Sequence, residues 1–141
     1  MKALVLVAVM LPVLTGQDTN SQAIGSWTAE FKGQTFLRLE LRAERGTLGG
    51  TMTTGNIEVD ERGDLRQVTA APADPKPISD VLLEGATLTF SLKDVQDTDR
   101  FEFRVLDSGR AELRFLFTDE LRKELAADGI PVPKPIVLTR R

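Results

Sequence analysis

The sequence predicts an all-β protein, an up-and-down antiparallel β-barrel of about eight strands with one short C-terminal helix before the last strand. Three observations predict this fold class. From residue 24 onward apolar residues recur at every second position, Gly or Asp separates one alternating run from the next, and only one segment has helical spacing. Successive runs joined by tight turns pair with each other, and closing the sheet removes its exposed edges.

The chain begins with the layout of a secretory signal peptide. Lys2 supplies a basic start, and the apolar stretch 3–14 that follows is too short to span a bilayer, which takes roughly 20 residues. We expect a signal peptide over residues 1–16, a flexible lead-in over 17–23 and a barrel domain over 24–141. The mature protein would be periplasmic or extracellular, without a stable membrane span. An uncleaved anchor or a buried strand is the alternative for the apolar stretch.

Five runs in the barrel domain alternate apolar and polar residues, as strands with one buried face require. They cover residues 27–31, 37–41, 88–92, 101–105 and 111–117, and turn residues stand at 44–46, 61–64, 84–85 and 107–109. Because strands separated by such turns form hairpins, neighbours in the sequence are expected to be neighbours in the sheet. Gly49 and Gly50 lie inside a further strand and predict a bulge or a sharp coil there.

The predicted helix follows the last of these runs. Thr118 is placed to cap it, Asp119 and Glu120 complement the positive end of its dipole, and Gly129 ends it. Three prolines between residues 131 and 135 then prevent helix or central strand until a last strand at 136–138. A second proline-rich stretch, residues 70–77, predicts the long loop of the domain.

Two missing residue types exclude many functions. The chain has no His and no Cys, so it has no thiolate nucleophile, no imidazole base and no Cys/His zinc site. Its formal net charge of −3, from 18 basic and 21 acidic residues, argues against a nucleic-acid partner, which would need a basic face. The charged residues of the strands are interpreted as cross-strand ion pairs on the outer face. These residues are Arg38, Glu40, Arg42, Glu102, Arg104, Arg110, Glu112 and Arg114.

Residues at the two ends of the barrel domain match a pattern found in a known protein superfamily. Gly25, Ser26 and Trp27 open the first strand, and Arg140 and Arg141 end the last one. Further pieces are the Leu-alternating strand 37–41, the Gly- and Thr-containing stretch 48–51 and the hairpin 79–90. This pattern resembles the lipocalin and fatty-acid-binding (calycin) superfamily, and especially its small exported bacterial lipocalin-like domains.

The resemblance implies a lipocalin-like barrel in which the first and last strands are neighbours. Gly25 and Trp27 would then form a structural closure of the barrel with Arg140 or Arg141, whose guanidinium covers the indole ring. The chain lacks the long first loop and the two-helix lid of other superfamily members, so their ligand gates are not carried over.

The predicted inward residues form the candidate ligand-binding site. They are Leu39, Leu41, Phe90, Phe101, Phe103 and Phe115, with Phe117 at the strand end. An eight-stranded barrel is only just wide enough for side chains or one small ligand, so these residues either line a pocket or fill the core. Asp94, Asp97 and Asp99 share one loop, for which calcium ligands and an ordinary solvated turn are the alternatives. No metal and no cofactor is expected.

Together these features predict an exported, non-enzymatic binding protein that holds a small apolar ligand inside the barrel. The alternative is a protein-interaction or inhibitor module with a filled core, using loop 70–77 or segment 129–135 as an exposed arm. An apolar cavity favours the first function, and a filled core favours the second. An enzyme would have to work with Asp, Glu, Lys, Arg or Ser side chains alone.

Overall fold

The computed structural model describes residues 22–93 and 98–141. The elements with described bounds are ten strands and one helix, α1, which lies between the last two strands, and residues 22–23 are also helical. The strands are β1 Gly25–Phe31, β2 Gln34–Glu44, β3 Thr47–Thr54, β4 Ile57–Val59, β5 Leu65–Val68, β6 Lys76–Glu84, β7 Thr87–Lys93, β8 Thr98–Asp107, β9 Arg110–Leu116 and β10 Ile136–Arg140. Helix α1 spans Asp119–Ala127. The expected signal peptide, most of the lead-in, Asp94 and Asp97 lie outside the described residues.

Eight of the strands close into an antiparallel barrel in the order β1-β10-β9-β8-β7-β6-β3-β2. Strands β1 and β10 close it, with Trp27 opposite Arg140 and Thr28 opposite Thr139. The predicted fold class, including the short helix before the last strand, is therefore confirmed. Strands β4 and β5 form a separate two-stranded sheet outside the barrel order, which the sequence did not indicate.

The barrel core is built from rows of side chains that the strand register places opposite each other. One row joins Phe90, Phe101 and Phe115 across β7, β8 and β9. The next row on the same face joins Leu88, Phe103 and Leu113, all of them buried. Alternation along each strand puts these residues inside and their polar neighbours outside, which is why period-two runs became barrel strands.

The sequence predicted a bulge or a sharp coil at Gly49 and Gly50, and the bulge is wrong. The β2–β3 pairing continues without a register shift from Leu37 opposite Thr54 to Glu44 opposite Thr47. The reason for a Gly at position 50 is a close approach of two backbones. Its φ is +155°, and a Cβ built there would lie 1.8 Å from the backbone oxygen of Glu40.

Helix α1 begins where the sequence predicts. The Thr118 hydroxyl accepts a hydrogen bond from the Leu121 backbone N–H at 3.1 Å, and Asp119 and Glu120 occupy the first turn. None of its residues is buried. The helix is therefore held by its cap and its connections, and its packing against the barrel is slight.

The β4–β5 hairpin packs on the core and is tied to the segment before β10. Ile57, Leu65 and Val68 contact the buried cluster. The backbone N–H of Lys134 donates to the Gly63 oxygen at 3.0 Å, and the Lys134 ammonium lies 2.9 Å from Asp64 Oδ1. These contacts join two segments that are 70 residues apart in the chain.

The Asp60 carboxylate holds the turn of this hairpin, and its hydrogen bonds make the stability of the protein depend on pH. The backbone N–H groups of Arg62 and Asp64 donate to Asp60 Oδ1 at 2.8 and 3.0 Å and lower the pKa of this carboxyl below its ordinary value of 3.8. A lowered folded-state pKa stabilises the protein above the unfolded value, and this contribution disappears as the pH falls through the folded-state pKa.

We therefore expect Asp60→Asn to be less stable than wild type near neutral pH, with the difference shrinking between about pH 5 and pH 2. Urea unfolding at a series of pH values measures this. Asp74→Asn, in an exposed loop, is the control. A difference that stays constant over this range would contradict the role of the Asp60 charge.

Candidate functional site

Trp27 and Arg140 meet at the end of the barrel where β1 begins. The guanidinium carbon of Arg140 lies 4.3 Å from the Trp27 ring centroid. Its Nη1 donates to the Ile24 oxygen at 2.6 Å and its Nε to the Ser108 oxygen at 2.9 Å, and Nη2 donates to the Gln22 oxygen. The indole N–H donates to the Ala23 oxygen at 2.9 Å. One cation therefore joins the chain before β1 to the β8–β9 turn across the face of a buried ring.

The other two residues of the expected closure have different positions. Gly25 lies against Arg140, because a Cβ on Gly25 would be 2.6 Å from Arg140 Nη1. Arg141 does not cover the indole. Its Nη2 lies 3.8 Å from Glu30 Oε1 on the outside of the barrel.

The six expected ligand-binding residues lie in the core, and their aromatic members contact each other. Ring centroids are 5.5 Å apart for Phe90 and Phe101, 5.1 Å for Phe101 and Phe115, and 5.4 Å for Phe103 and Trp27. Such separations are those of rings in direct contact. Leu39 and Leu41 are 1% exposed, whereas Phe115 is partly buried. The aromatic members therefore pack directly on one another.

Three ion pairs of the outer wall lie along single strands, so the interpretation as cross-strand pairs is wrong for the residues that form them. Nitrogen to oxygen distances are 3.0 Å for Arg42–Glu44, 3.5 Å for Arg104–Glu102 and 2.8 Å for Arg114–Glu112. Arg110 on β9 pairs at 2.8 Å with Asp107, the residue directly opposite it on β8, so the cross-strand interpretation is confirmed for Arg110. Strand side chains lean along the strand, which brings positions i and i+2 of one face together.

Arg38 and Glu40 depart from this pattern. They have the same spacing, lie on the same strand as Arg42 and Glu44, and are exposed. Their side chains nevertheless have no ion-pair or hydrogen-bond partner within residues 22–93 and 98–141. Two opposite charges on one strand therefore have no compensating group in the described part of the chain.

Hydroxyl side chains surround these two charges on the neighbouring strands. Arg38 is opposite Thr28 on β1 and Thr53 on β3. Glu40 is opposite Ser26 on β1 and Thr51 on β3. Because residues directly opposite in a sheet lie on the same face, the six side chains form two parallel polar rows across three strands.

These rows form the floor of a pocket of about 300 Å³, which we call the outer-wall pocket. It is lined by Ser26, Trp27, Thr28, Arg38, Leu39, Glu40, Thr51, Thr53, Pro72, Ala73, Pro75 and Arg141. Pro72, Ala73 and Pro75 belong to the proline-rich loop, which therefore stands beside the barrel wall and supplies one side of the pocket. The volume is at the small end of the range for ligand sites.

Thr53, which lines this pocket, has a hydroxyl group without a hydrogen-bond partner among the described residues. The residue is 7% exposed, and its Oγ1 is buried without a hydrogen-bond partner in the described part of the chain. Leaving a buried hydroxyl unpaired costs about 1–3 kcal/mol. The oxygen itself has almost no surface open to the pocket, so a ligand there can pair with it only after the Thr53 side chain rotates.

Sequence reasoning missed the outer-wall pocket. The repeated Thr residues at 28, 51 and 53 were a signal of a polar face, but alternation alone assigns such residues to solvent. The return of loop 70–77 onto that face depends on contacts distant in sequence, which a single sequence does not indicate.

A second surface is formed by α1 and the segment after it. Leu121, Ile130 and Val132 are 39%, 50% and 40% exposed. An open groove of about 630 Å³ runs between segment 129–131 and the β4–β5 turn. It combines apolar Ile130 and Pro131 with the charged residues Asp60, Glu61, Arg62 and Arg66.

Among the described residues, no group of three acidic side chains is placed to hold a metal ion. Of the three aspartates considered for calcium, Asp94 and Asp97 lie outside those residues. No helix in the described part of the chain is long and apolar enough to cross a membrane.

Comparison with protein-family models, with curated proteins and with solved structures finds no match. The eight-stranded barrel is compatible with a calycin fold, and other closed antiparallel barrels share this shape. Any functional argument therefore depends on the chemistry of the surfaces described above.

Proposed function

We propose that the mature chain is an exported, non-enzymatic binding protein that holds a small polar ligand in the outer-wall pocket. One observation carries this proposal: an unpaired Arg38, an unpaired Glu40 and the unsatisfied Thr53 hydroxyl line one pocket. Buried polar groups of native proteins are ordinarily paired, and the exposed charges of Arg38 and Glu40 are open to a ligand. A ligand with complementary groups would pair with both charges, and with the Thr53 hydroxyl once that side chain rotates toward the pocket.

The proposal places the ligand outside the barrel because of the ring contacts inside it. The direct contacts among Phe90, Phe101 and Phe115 favour a filled interior over an internal apolar ligand. A relation to the lipocalin-like domains remains part of the proposal. It rests on Gly25, Trp27 and Arg140, whose arrangement at the barrel end is the one that the resemblance implies.

Chemical-shift mapping of the isotope-labelled mature chain tests the proposed site. The probes are glycine, L-alanine, N-acetyl-L-alanine, glucose and decanoate. We expect at least one small polar probe to shift the amide signals of Thr28, Arg38 and Thr53, and decanoate to leave Phe90 and Phe101 unchanged. If no polar probe shifts the pocket signals, the proposed function is wrong. Shifts at Phe90 and Phe101 with decanoate would support the internal apolar site instead.

A second candidate function is that of a protein-interaction module, and the exposed apolar side chains of Ile130 and Val132 favour it. A photo-crosslinking amino acid at position 130, introduced into the protein in exporting cells, tests this function. Leu82, 52% exposed on the barrel wall, is the matched control position. A partner that crosslinks at 130 and not at 82, and is lost with Val132→Asp, supports an interaction surface. Identical crosslinks at both positions contradict it.

A further inference from the structure

We infer that the ligand of the outer-wall pocket is a small zwitterion, a molecule with a free carboxylate and a free ammonium such as an α-amino acid. This inference rests on the proposed function, because it names the ligand class of the same pocket. It is drawn from the two uncompensated charges, their spacing, and the orphaned hydroxyl beside them.

The charge argument compares the Arg and Glu neighbours at i, i+2 spacing on strands β2, β8 and β9, of which there are seven. In three of them the partners form an ion pair, at 2.8 to 3.5 Å. In three more, at least one member is already paired with another residue. Only for Arg38 and Glu40 does neither member have a partner among the described residues. They are also the pair that has the proline-rich loop beside it. The protein therefore presents an unpaired positive and an unpaired negative group at the same pocket, with Arg141, which pairs with Glu30, as a further positive group in the lining.

Only a ligand with both charges compensates both residues. A simple anion would pair with Arg38 and be repelled by Glu40, and a simple cation would have the opposite problem. A neutral sugar would leave both charges partly desolvated without a counter-charge. A zwitterion can place its carboxylate on the planar fork of Arg38 and its ammonium on Glu40.

The spacing suits a short molecule. Residues i and i+2 of a strand lie roughly 7 Å apart at their Cα atoms, so their side chains can approach two groups separated by a few ångströms. In an α-amino acid the two charged groups are attached to one carbon atom. The volume of about 300 Å³ fits a molecule of this size and not a long chain.

Thr53 and the loop supply the remaining contacts. Thr53 is directly opposite Arg38 in the β2–β3 register. A carboxylate on Arg38 would therefore lie near Thr53, whose buried hydroxyl can donate to it once the side chain rotates toward the pocket. Pro72 and Pro75 offer an apolar wall for a small side chain of the ligand.

Titration calorimetry of the mature chain with L-alanine, N-acetyl-L-alanine, L-alaninamide and glucose tests the inference. N-acetyl-L-alanine keeps only the carboxylate, L-alaninamide keeps only the ammonium, and glucose has neither charge. We expect L-alanine to bind, and each single-charge analogue to bind at least tenfold more weakly. Equal binding of L-alanine and either analogue would overturn the inference.

Substitutions within the pocket, compared with matched substitutions on another strand, distinguish the loss of a ligand contact from a general effect on the fold. Arg38→Gln and Glu40→Gln are each expected to weaken L-alanine binding at least tenfold. Arg104→Gln and Glu102→Gln change a matched pair with the same spacing on β8, and are expected to alter binding by less than twofold. If all four substitutions weaken binding equally, the pocket is not the binding site.

Thr53→Val distinguishes a ligand contact from a structural role. It replaces an unpaired buried hydroxyl with a methyl group of the same shape, so thermal stability should be unchanged or raised. We expect weaker L-alanine binding in the same variant. Unchanged binding would overturn the role of the hydroxyl.

The two levels of the proposal fail in different ways. If glucose or N-acetyl-L-alanine shifts the pocket amides and L-alanine does not, the zwitterion inference is wrong and the outer-wall pocket remains the proposed site. If none of the probes shifts these amides, the proposed function is wrong as well.

Discussion

Replacing Trp27 with Ala is expected to lower the free energy of unfolding by about 3–5 kcal/mol. The indole ring is fully buried, packs edge-to-face on Phe103 at 5.4 Å and lies under the Arg140 guanidinium. Its loss leaves a large cavity and removes the surface on which Arg140 rests. Because Trp27 is the only Trp of the chain, unfolding of the variant has to be followed by circular dichroism in urea.

Two controls accompany the Trp27→Ala measurement. Trp27→Phe keeps a ring but removes the N–H that donates to Ala23, so a smaller loss of about 1–2 kcal/mol is expected. Val137→Ala, 53% exposed on the adjacent β10, should change stability by no more than about 0.5 kcal/mol. A Trp27→Ala protein as stable as Val137→Ala would contradict the role of the ring in the closure.

Replacing Gly50 with Ala is expected to lower the free energy of unfolding by about 3 kcal/mol or more. The added Cβ would lie 1.8 Å from the Glu40 backbone oxygen, a distance that requires β2 and β3 to separate locally. Forced overpacking typically costs about 1–3 kcal/mol, and an unfavourable backbone conformation adds about 1–3 kcal/mol. The melting temperature and urea midpoint of the purified variant measure this loss.

Gly109→Ala is the matched control for Gly50→Ala. The backbone of Gly109 has no positive φ of the kind that strains other residues, and the nearest atom to an added Cβ is 4.0 Å away. Its stability should stay within about 0.5 kcal/mol of wild type. If Gly50→Ala is as stable as Gly109→Ala, the close approach of β2 and β3 does not require a Gly at position 50.

The barrel could be predicted from the sequence because the features that determine it involve residues close together in the chain. Alternation at 37–41, 88–92 and 101–105, with turn residues between the runs, determines both the inward face and the sequential pairing. The cap at Thr118 is local for the same reason. The closure of β1 on β10 needed a further argument, the adjacency of first and last strands in an up-and-down barrel.

The parts that were missed depend on contacts between distant segments. Phe36 is fully buried although it lies next to the inward Leu37 on β2, where alternation assigns it to the polar outer face. The β4–β5 hairpin leaves the barrel order and is joined to Lys134. Neither arrangement follows from periodicity, because each depends on where a loop returns.

The candidate ligand site predicted from the sequence differs from the outer-wall pocket that we propose. The six inward residues have the composition of an apolar pocket, but sequence does not say whether facing rings leave a space or touch. Arg38 and Glu40 were interpreted as ion-paired like the other strand charges. Only the absence of a partner among the described residues distinguishes them, and this is a property of side-chain geometry.

Native mass spectrometry of the mature chain, from about residue 17 to Arg141, tests the central claim most directly. The claim is that the protein's own side chains fill the barrel interior, so that binding occurs on the outside. The chain is produced by an exporting host, incubated with a lipid extract, and compared with its denatured mass. We predict a bare native mass after lipid incubation. A lipid-sized adduct that is present in the native state and lost on denaturation would contradict the claim and establish an internal ligand site.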